Sequence, residues 1–446
     1  MNTRTLPGLN ACLLGFLALS FPTLGKAANW LELGPMIGHV SHTNASLWVK
    51  SHLPAEVSVA ISRDPELAEV IHIAGPNLTA ETDRSGFWII PDLEPATRYY
   101  YAVSLNGKPA MLPPYPSFVT APTPGTRGHL RFAFISCSGY SPYDPAPSWA
   151  DLGMRTNVDL ILMMGDNHYG NSPDLAKQRA AYLGQRQSSG FRQTTERIPT
   201  YGIWDDHDFG PNDSDGTLPG KESALKAFLE HWANPSAGEP DNLGVYFKFT
   251  RGAVDFFCLD GRYHRSPNNQ TNNPAKTMLG PKQLAWLKNA LVESAAPVKV
   301  LVSGSEWQSH GTPDSWTSFP RERDELFAFI RDQRIEGVIL LSGDRHFTGA
   351  YQVQQRFIEV TSGPFGGQTA STRNLPEMFL NFGKGRFYCV YDVDTAKPEP
   401  VLTLEVYQVG MGLLERRTFS WDEVNGRKKI APLATVPAVP GSKAAP

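Results

Sequence analysis

The sequence predicts an α/β domain preceded by a small all-β sandwich, and three observations lead there. Short alternating strands broken by turns fill residues 29 to about 122, the pattern of a sandwich. Beyond residue 130, apolar strand-like runs alternate with amphipathic helical ones, the pattern of a buried sheet with helices on its faces. Between the two, 121-APTPGTRGH-129 is rich in Pro and Gly and has no apolar period, so it reads as a linker.

The first 28 residues come before either unit. Arg4, the apolar run Leu13 to Phe21, and the small residues Gly25 and Ala27 together read as a secretory leader. The run is interrupted and shorter than the roughly 20 apolar residues a membrane span needs. Most of it follows Cys12, which argues against lipid attachment at that cysteine. A protein exported to the periplasm or the medium is expected, with no transmembrane segment once the leader is removed. Removal also leaves Cys137, Cys258 and Cys389, an odd number for an oxidising compartment, so at least one is unpaired or used chemically.

The sandwich, residues 29–122, is read from 45-ASLWVKS-51, 57-VSVAISR-63, 86-GFWIIPDL-93, 98-RYYYAVSLNGK-108 and 117-SFVTAPTP-124. Its segment 93-LEPATRYYYAV-103 resembles the turn and strand of immunoglobulin and fibronectin III-like domains, where a tyrosine at the Tyr99 position bonds back to the backbone. The second domain, 130–427, holds 131-RFAFISC-137, 158-VDLILMMGD-166, 198-IPTYGIWDD-206, 253-AVDFFCLD-260, 298-VKVLVSG-304 and 337-GVILLSGD-344, with helical stretches at 281–294 and 321–333. Residues 428–446, rich in Pro, Ala and Lys, read as a disordered tail. The net charge of −3 gives no reason to expect a nucleic-acid partner. A monomer is expected.

The strand ends are where the chemistry gathers. In an open α/β sheet, ligands collect beyond the carboxyl ends of the strands, and here Cys137, Asp166, Asp206 and Asp344 stand at those ends, with His207 and His346 close behind. One such Asp is ordinarily a cap. Several brought together repel and desolvate one another unless a cation compensates. A thiolate, carboxylates and imidazole suit a transition metal better than magnesium, and two cations sharing a carboxylate suit phosphoryl chemistry. Arg262 and Arg345 each have two readings, a phosphate clamp or an ion pair. His168 and His310 either line the pocket or are satisfied locally. Trp149, Trp204, Trp307 and Trp316 either wall it or fill the core.

The pieces 136-SCSGY-140, 165-GDNHY-169, 203-IWDDHDFGPNDSD-215, 259-LDGRYHR-265, 278-MLGPKQLAWL-287, 303-SGSEW-307 and 342-SGDRHF-347 resemble, in order, the PhoD-like alkaline phosphatases of the calcineurin-like metallophosphatase superfamily, relatives of purple acid phosphatases. The resemblance implies a four-layer α/β/β/α metallophosphatase domain. It also implies hydrolysis of small phosphate mono- or diesters by a metal-activated hydroxide at a dinuclear or multinuclear centre. Asp166 matches the carboxylate bridging two metals, Tyr169 and Cys137 match ligands of an iron(III), and Asp206 a ligand of the second metal. Asp344 and His346 match the final metal motif, and His207 matches the histidine that protonates the leaving group or orients phosphate. The second cation is implied to be divalent, calcium or else zinc, manganese or magnesium. The middle motif lacks its expected histidine and offers Ser305, Glu306 or Gln308, of which Glu306 is the choice. The sequence leaves open which of Asp205 and Asp206 is the ligand, the other acting with Asp208 as support. Two alternatives stand beside this reading: a phospholipase D-like diesterase acting on lipid head groups, and a non-catalytic protein binding surface polymer.

Overall fold

A computed structural model describes residues 1, 29–139, 144–370 and 372–433. The expected leader and most of the expected tail lie outside the described residues. Among those described, no helix is long and apolar enough to cross a membrane.

The N-terminal region forms two small antiparallel sheets closed over one core. One sheet orders Leu31–Val40, Ala45–Ser51 and Ser85–Ile90; the other runs Ile71–Leu78, Ala55–Ser62, Arg98–Leu105 and Lys108–Pro109, with Ser117–Val119 paired to Arg98–Leu105. Alternation does the work: Val57, Val59 and Ile61 point inward with Tyr101, Val103 and Leu105. The Tyr99 hydroxyl accepts the Glu94 N–H at 3.0 Å. Two strands were not anticipated, Leu31–Val40 and Ile71–Leu78, because both contain Gly and Pro. Both are edge strands, where proline's missing donor costs no ladder bond.

The expected strands of the second region divide between two sheets. Thr200–Ile203, Leu160–Met164 and His129–Ile135 are parallel neighbours in a six-stranded sheet completed by Phe387–Asp394, Val401–Gln408 and Gly412–Phe419. Val254–Cys258, Val298–Val302 and Val338–Ser342 are parallel neighbours in a seven-stranded sheet, which continues through Phe357–Thr361, Thr348–Val353 and Met378–Phe382 on one side and Phe247–Arg251 on the other.

Side-chain alternation shows how the sheets are layered. Phe256, Val300, Val302, Ile339 and Leu341 join the core shared with the six-stranded sheet, where Phe132 meets Phe256 edge-on with ring centroids 5.1 Å apart. Their chain neighbours Phe257, Leu301 and Leu340 point the other way, into a second core with the helices Pro281–Glu293 and Pro320–Asp332. Such two-sided burial explains why these strands read as continuous apolar runs. Trp149, Trp204, Trp307 and Trp316 are all core residues. The chain past residue 427, expected as tail, still packs: Ile430 is buried, its N–H bonds to Gln352, and Leu433 N–H bonds to the Met378 carbonyl. The Ile430 side chain repays its ordering through burial, which composition alone does not reveal.

The two regions meet through directed bonds. Trp48 Nε1 donates to the Glu230 carbonyl at 2.8 Å, the Val40 N–H to the Tyr201 hydroxyl at 3.1 Å, and the Tyr101 hydroxyl to the Glu196 carbonyl at 2.8 Å.

Candidate metal centre

The two parallel strand triplets end at the same pole. Cys137, Asp166 and Asp205–Asp206 leave the six-stranded sheet, and Asp260, Ser305 and Asp344 leave the seven-stranded one. Each turn is tight. Cys137, Asp166, Asp344 and His346 all have left-handed backbones, with φ of 51, 51, 68 and 52°. Such conformations cost a non-glycine residue roughly 1–3 kcal/mol each, so four at one locus mark a place where surrounding structure overrides local preference. The glycines ahead of the aspartates permit the approach: a Cβ on Gly165 would lie 2.5 Å from Asp205 Cβ, and one on Gly343 2.6 Å from Ser136 Cβ.

Four groups of donor atoms result, each with its members within 4.8 Å of one another: Cys137, Asp166 and His346; Asp166, Asp206 and His207; Asp205, Asp314 and Asp344; and Asp206, Asp213 and Asp314. Asp166 joins the first two groups. Tyr169 closes the first, its hydroxyl lying 3.0 Å from His346 Nε2 and 3.3 Å from Asp166 Oδ2, and Cys137 Sγ lies 3.6 Å from the same oxygen. His207 Nδ1 is 2.5 Å from Asn171 Oδ1.

The electrostatics are unfavourable for a protein alone. Burial, then the surrounding carboxylates, pushes the Asp166 and Asp344 carboxyls well above the usual range. Burial also raises the Cys137 thiol, with Asp166 adding to it. At Asp206 burial is outweighed by Arg262 and His207, and the carboxyl lies below its ordinary value. Among the described residues, Asp166 Oδ1, Asp205 Oδ2 and Asp344 Oδ2 are buried without a hydrogen-bond partner. Buried polar atoms are ordinarily satisfied. Orphaned acceptors beside a thiol, a phenol and imidazoles are a donor set that fits cations, with the softer ligands gathered around Asp166 and oxygen ligands around Asp314.

Arg262 is not available to a substrate. Its side chain is 0% exposed, Nε binds Asp205 at 2.6 Å, Nη2 binds Asp314 at 2.6 Å, and Nη1 donates to the Ser214 carbonyl at 3.1 Å. The ion-pair reading therefore replaces the clamp reading, because the guanidinium's donors are taken up in directions fixed by its planar fork. Glu306 also stands apart from the four groups: Oε2 pairs with Arg345 Nε at 3.3 Å and accepts the His310 N–H, while Oε1 accepts from Tyr351. The carboxylate this segment brings into two of the groups is Asp314. Arg345 keeps 24% of its side chain exposed, with Nη1 3.6 Å from Asp344. His168 is buried away from the groups, with Nδ1 accepting the Gly170 N–H, and His310 Nε2 lies 2.6 Å from the Arg373 carbonyl. Asp208 accepts from the Asp205 and His168 N–H groups, holding the two strand ends together. Cys258 and Cys389, like Cys137, are free and buried.

Asp314 and Asp213 were missed by sequence reasoning. Asp314 lies in the irregular segment between Val298–Val302 and Pro320–Asp332, where no periodicity points a side chain anywhere. Asp213 stands within 203-IWDDHDFGPNDSD-215, where its spacing from Asp206 was the available signal.

Away from the donor groups, Glu306 and Glu359 are a buried acidic pair. Burial and Glu359 push Glu306 up to about 8, and burial pushes Glu359 up to about 7. The folded protein keeps these protons after the unfolded chain has lost them near 4.5, so stability from this pair is full below that value and is lost as pH rises through 7 to 8. Thermal unfolding of chelator-treated protein between pH 5 and 9 is expected to show a melting temperature falling toward alkaline pH. Glu306→Gln is expected to flatten that fall.

Comparison with known proteins gives a consistent account. A family model described as PhoD-like phosphatase matches residues 132–381, and one described as a domain of unknown function matches residues 28–123. The chain is 25% identical over 333 residues to alkaline phosphatase D of Bacillus subtilis (strain 168), covering 63% of this chain and 56% of the relative. It is 26% identical over 330 residues to purple acid phosphatase 23 of Arabidopsis thaliana, covering 69% and 64%. The match thus spans less than two thirds of either relative's length. Among solved structures, PhoD superposes with a TM-score of 0.71 at 19% identity, covering 91% of this chain and 94% of that one. A purple acid phosphatase from yellow lupin (Lupinus luteus) seeds gives 0.66 at 14% identity, covering 92% and 77%. At these identities the structural likeness establishes the fold, an α/β metallophosphatase with its paired sheets.

Proposed function

The chain belongs to the PhoD-like phosphatase family, and from that premise we propose that it hydrolyses small phosphate mono- or diesters at the pole where its two sheets meet. The observation that supports this best is the sharing of Asp166 between the Cys137–His346 group and the Asp206–His207 group, as expected of a carboxylate between two cations. Cys137, Asp166, Tyr169 and His346 would hold one, for which iron(III) suits the thiolate and phenolate. Asp166, Asp206, Asp344 and Asp314 would hold a divalent partner, for which calcium suits the oxygen donors. Bound there, the cations would polarise the phosphate, lower the pKa of water and offset the charge that develops during transfer.

The chain's own groups have separable tasks. Asn171 Oδ1 can only accept, so His207 Nδ1 is the donor in that 2.5 Å contact and Nε2 is left for the substrate. In its protonated form His207 gives the Nε2 proton to the departing oxygen. Arg345, steadied at Nε by Glu306, offers its partly exposed guanidinium to a phosphate oxygen. Arg262 holds Asp205 and Asp314 in place and, with Arg265, favours the ionised form of Asp314. The expected immunoglobulin or fibronectin III-like identity of the N-terminal sheets belongs to the same reading and is supported by the Tyr99 corner. So do the four-layer arrangement, supported by the alternation of side chains between two cores, and export, supported by the composition of the first 28 residues.

His207→Ala in cation-loaded protein is expected to lower kcat for aryl phosphate esters by about 10²-fold, with a smaller loss for esters whose leaving group needs no proton. Equal rates for variant and parent on a poor leaving group would overturn the assignment.

A further inference from the structure

At the opposite pole of the same sheets lies a basic cleft of about 360 Å³ between the N-terminal sheets and the second region. It is lined by Arg98 and Ser117 from the first and by Arg155, Asp159, Arg197 and Arg251 from the second. Asp159 and Arg197 shortly precede the strands Leu160–Met164 and Thr200–Ile203, whose far ends lead to Asp166 and Asp206. Cleft and carboxylate groups are therefore separated by at least the length of a strand, roughly 16 Å for five residues.

The charge in this cleft is unbalanced. Arg155 pairs with Asp151 at 3.0 Å, whereas the hydrogen bonds of the other arginines go to neutral atoms, Arg98 to Ser117 Oγ at 3.0 Å and Arg197 to the Gln193 carbonyl at 2.8 Å, and the carboxylates Asp159 and Glu196 act on Arg251 and Arg197 through space. Arg251, 5% exposed, donates from Nη2 to the Val119 carbonyl at 3.2 Å. Its Nη1 is buried and, among the described residues, has no hydrogen-bond partner. Asp159, the lining carboxylate, accepts the Arg131 N–H at 2.8 Å. A buried guanidinium with an unmade hydrogen bond is costly unless something satisfies it. The volume lies within the span of small-molecule sites, about 300–1,000 Å³, and guanidinium forks match the oxygen geometry of phosphate groups.

We propose that this cleft is a second, non-catalytic site that binds a small phosphorylated molecule, with Arg251 at its floor and Arg98 and Arg197 at its rim. The site joins residues of both regions, so its ligand bridges them. It is distinct from the carboxylate pole, where uncompensated charge is negative.

The test is calorimetric titration of the full chain with inorganic phosphate and, separately, with phenylphosphonate, which has no ester bond to hydrolyse. The parent is expected to bind phenylphosphonate at this site. Arg251→Met, and independently the double variant Arg98→Ala, Arg197→Ala, should each weaken that event at least ~10-fold, as loss of a charge-assisted hydrogen bond would. The rim arginines are exposed, so the double variant keeps the test valid if Arg251→Met fails to fold. Binding unchanged in the folded double variant overturns the proposal. Binding of inorganic phosphate but not phenylphosphonate overturns the small-molecule assignment and leaves a site for the bare ion.

Discussion

Asp166→Asn is expected to lower phosphate-ester hydrolysis on the order of 10⁴-fold, because under the proposed function several kcal/mol of transition-state stabilisation depend on cations sharing this carboxylate. Asparagine keeps the shape and removes the charge, so the fold should survive. A second effect runs the other way. Without cations, Asp166 is a fully buried carboxyl facing Asp206, Asp205, Asp208 and Asp344, and burial, then that repulsion, raises its pKa. Removing the charge should therefore raise the melting temperature of chelated protein even as activity disappears. A purely structural Asp166 would predict the reverse, with stability lost and residual activity proportional to folded protein.

Arg262→Met is expected to cost about 3–5 kcal/mol in stability, the penalty for removing one partner of a buried ion pair. Asp205 and Asp314, both buried, each lose a contact of 2.6 Å, and Asp314 alone keeps a second guanidinium, Arg265 at 2.6 Å. Burial already raises Asp205 to about 7 despite the arginine, so much of the penalty should be relieved at acidic pH, where it protonates. Arg262→Lys should recover little, since a point charge cannot serve Asp205, Asp314 and the Ser214 carbonyl from one position. Denaturant unfolding at pH 5 and pH 8 measures both effects. A variant as stable as its parent at pH 8 would show that the charge is compensated elsewhere.

What was legible in the sequence follows from what strands do. A strand buried on both faces writes a continuous apolar run, and its end is a single position, so Cys137, Asp166, Asp206 and Asp344 could be found by looking one or two residues past each run. The division into two sheets was not legible in the periodicity, because the parallel triplets look alike until their pairing is known. Loop residues were harder. Glu306 sits one residue past Ser305 at a strand end, yet the backbone turns it toward Arg345 and Tyr351, while Asp314, eight positions on, folds back toward Asp205 and Asp344. Arg262 shows the same limit: its ion pairs are with Asp205 and Asp314, more than fifty positions away, which local spacing cannot reveal. The edge strands Leu31–Val40 and Ile71–Leu78 were hidden by Pro and Gly, which mean turn in isolation and are tolerated where a sheet ends.

The proposed holding of cations at the carboxylate pole is tested most directly by stripping the purified protein with chelator, verifying metal content by elemental analysis, and following aryl phosphate hydrolysis before and after cations are returned. Activity should be lost on stripping and regained on loading, with Asp166→Asn neither retaining metal nor recovering. Protein shown to be metal-free that hydrolyses the ester at an undiminished rate would contradict it.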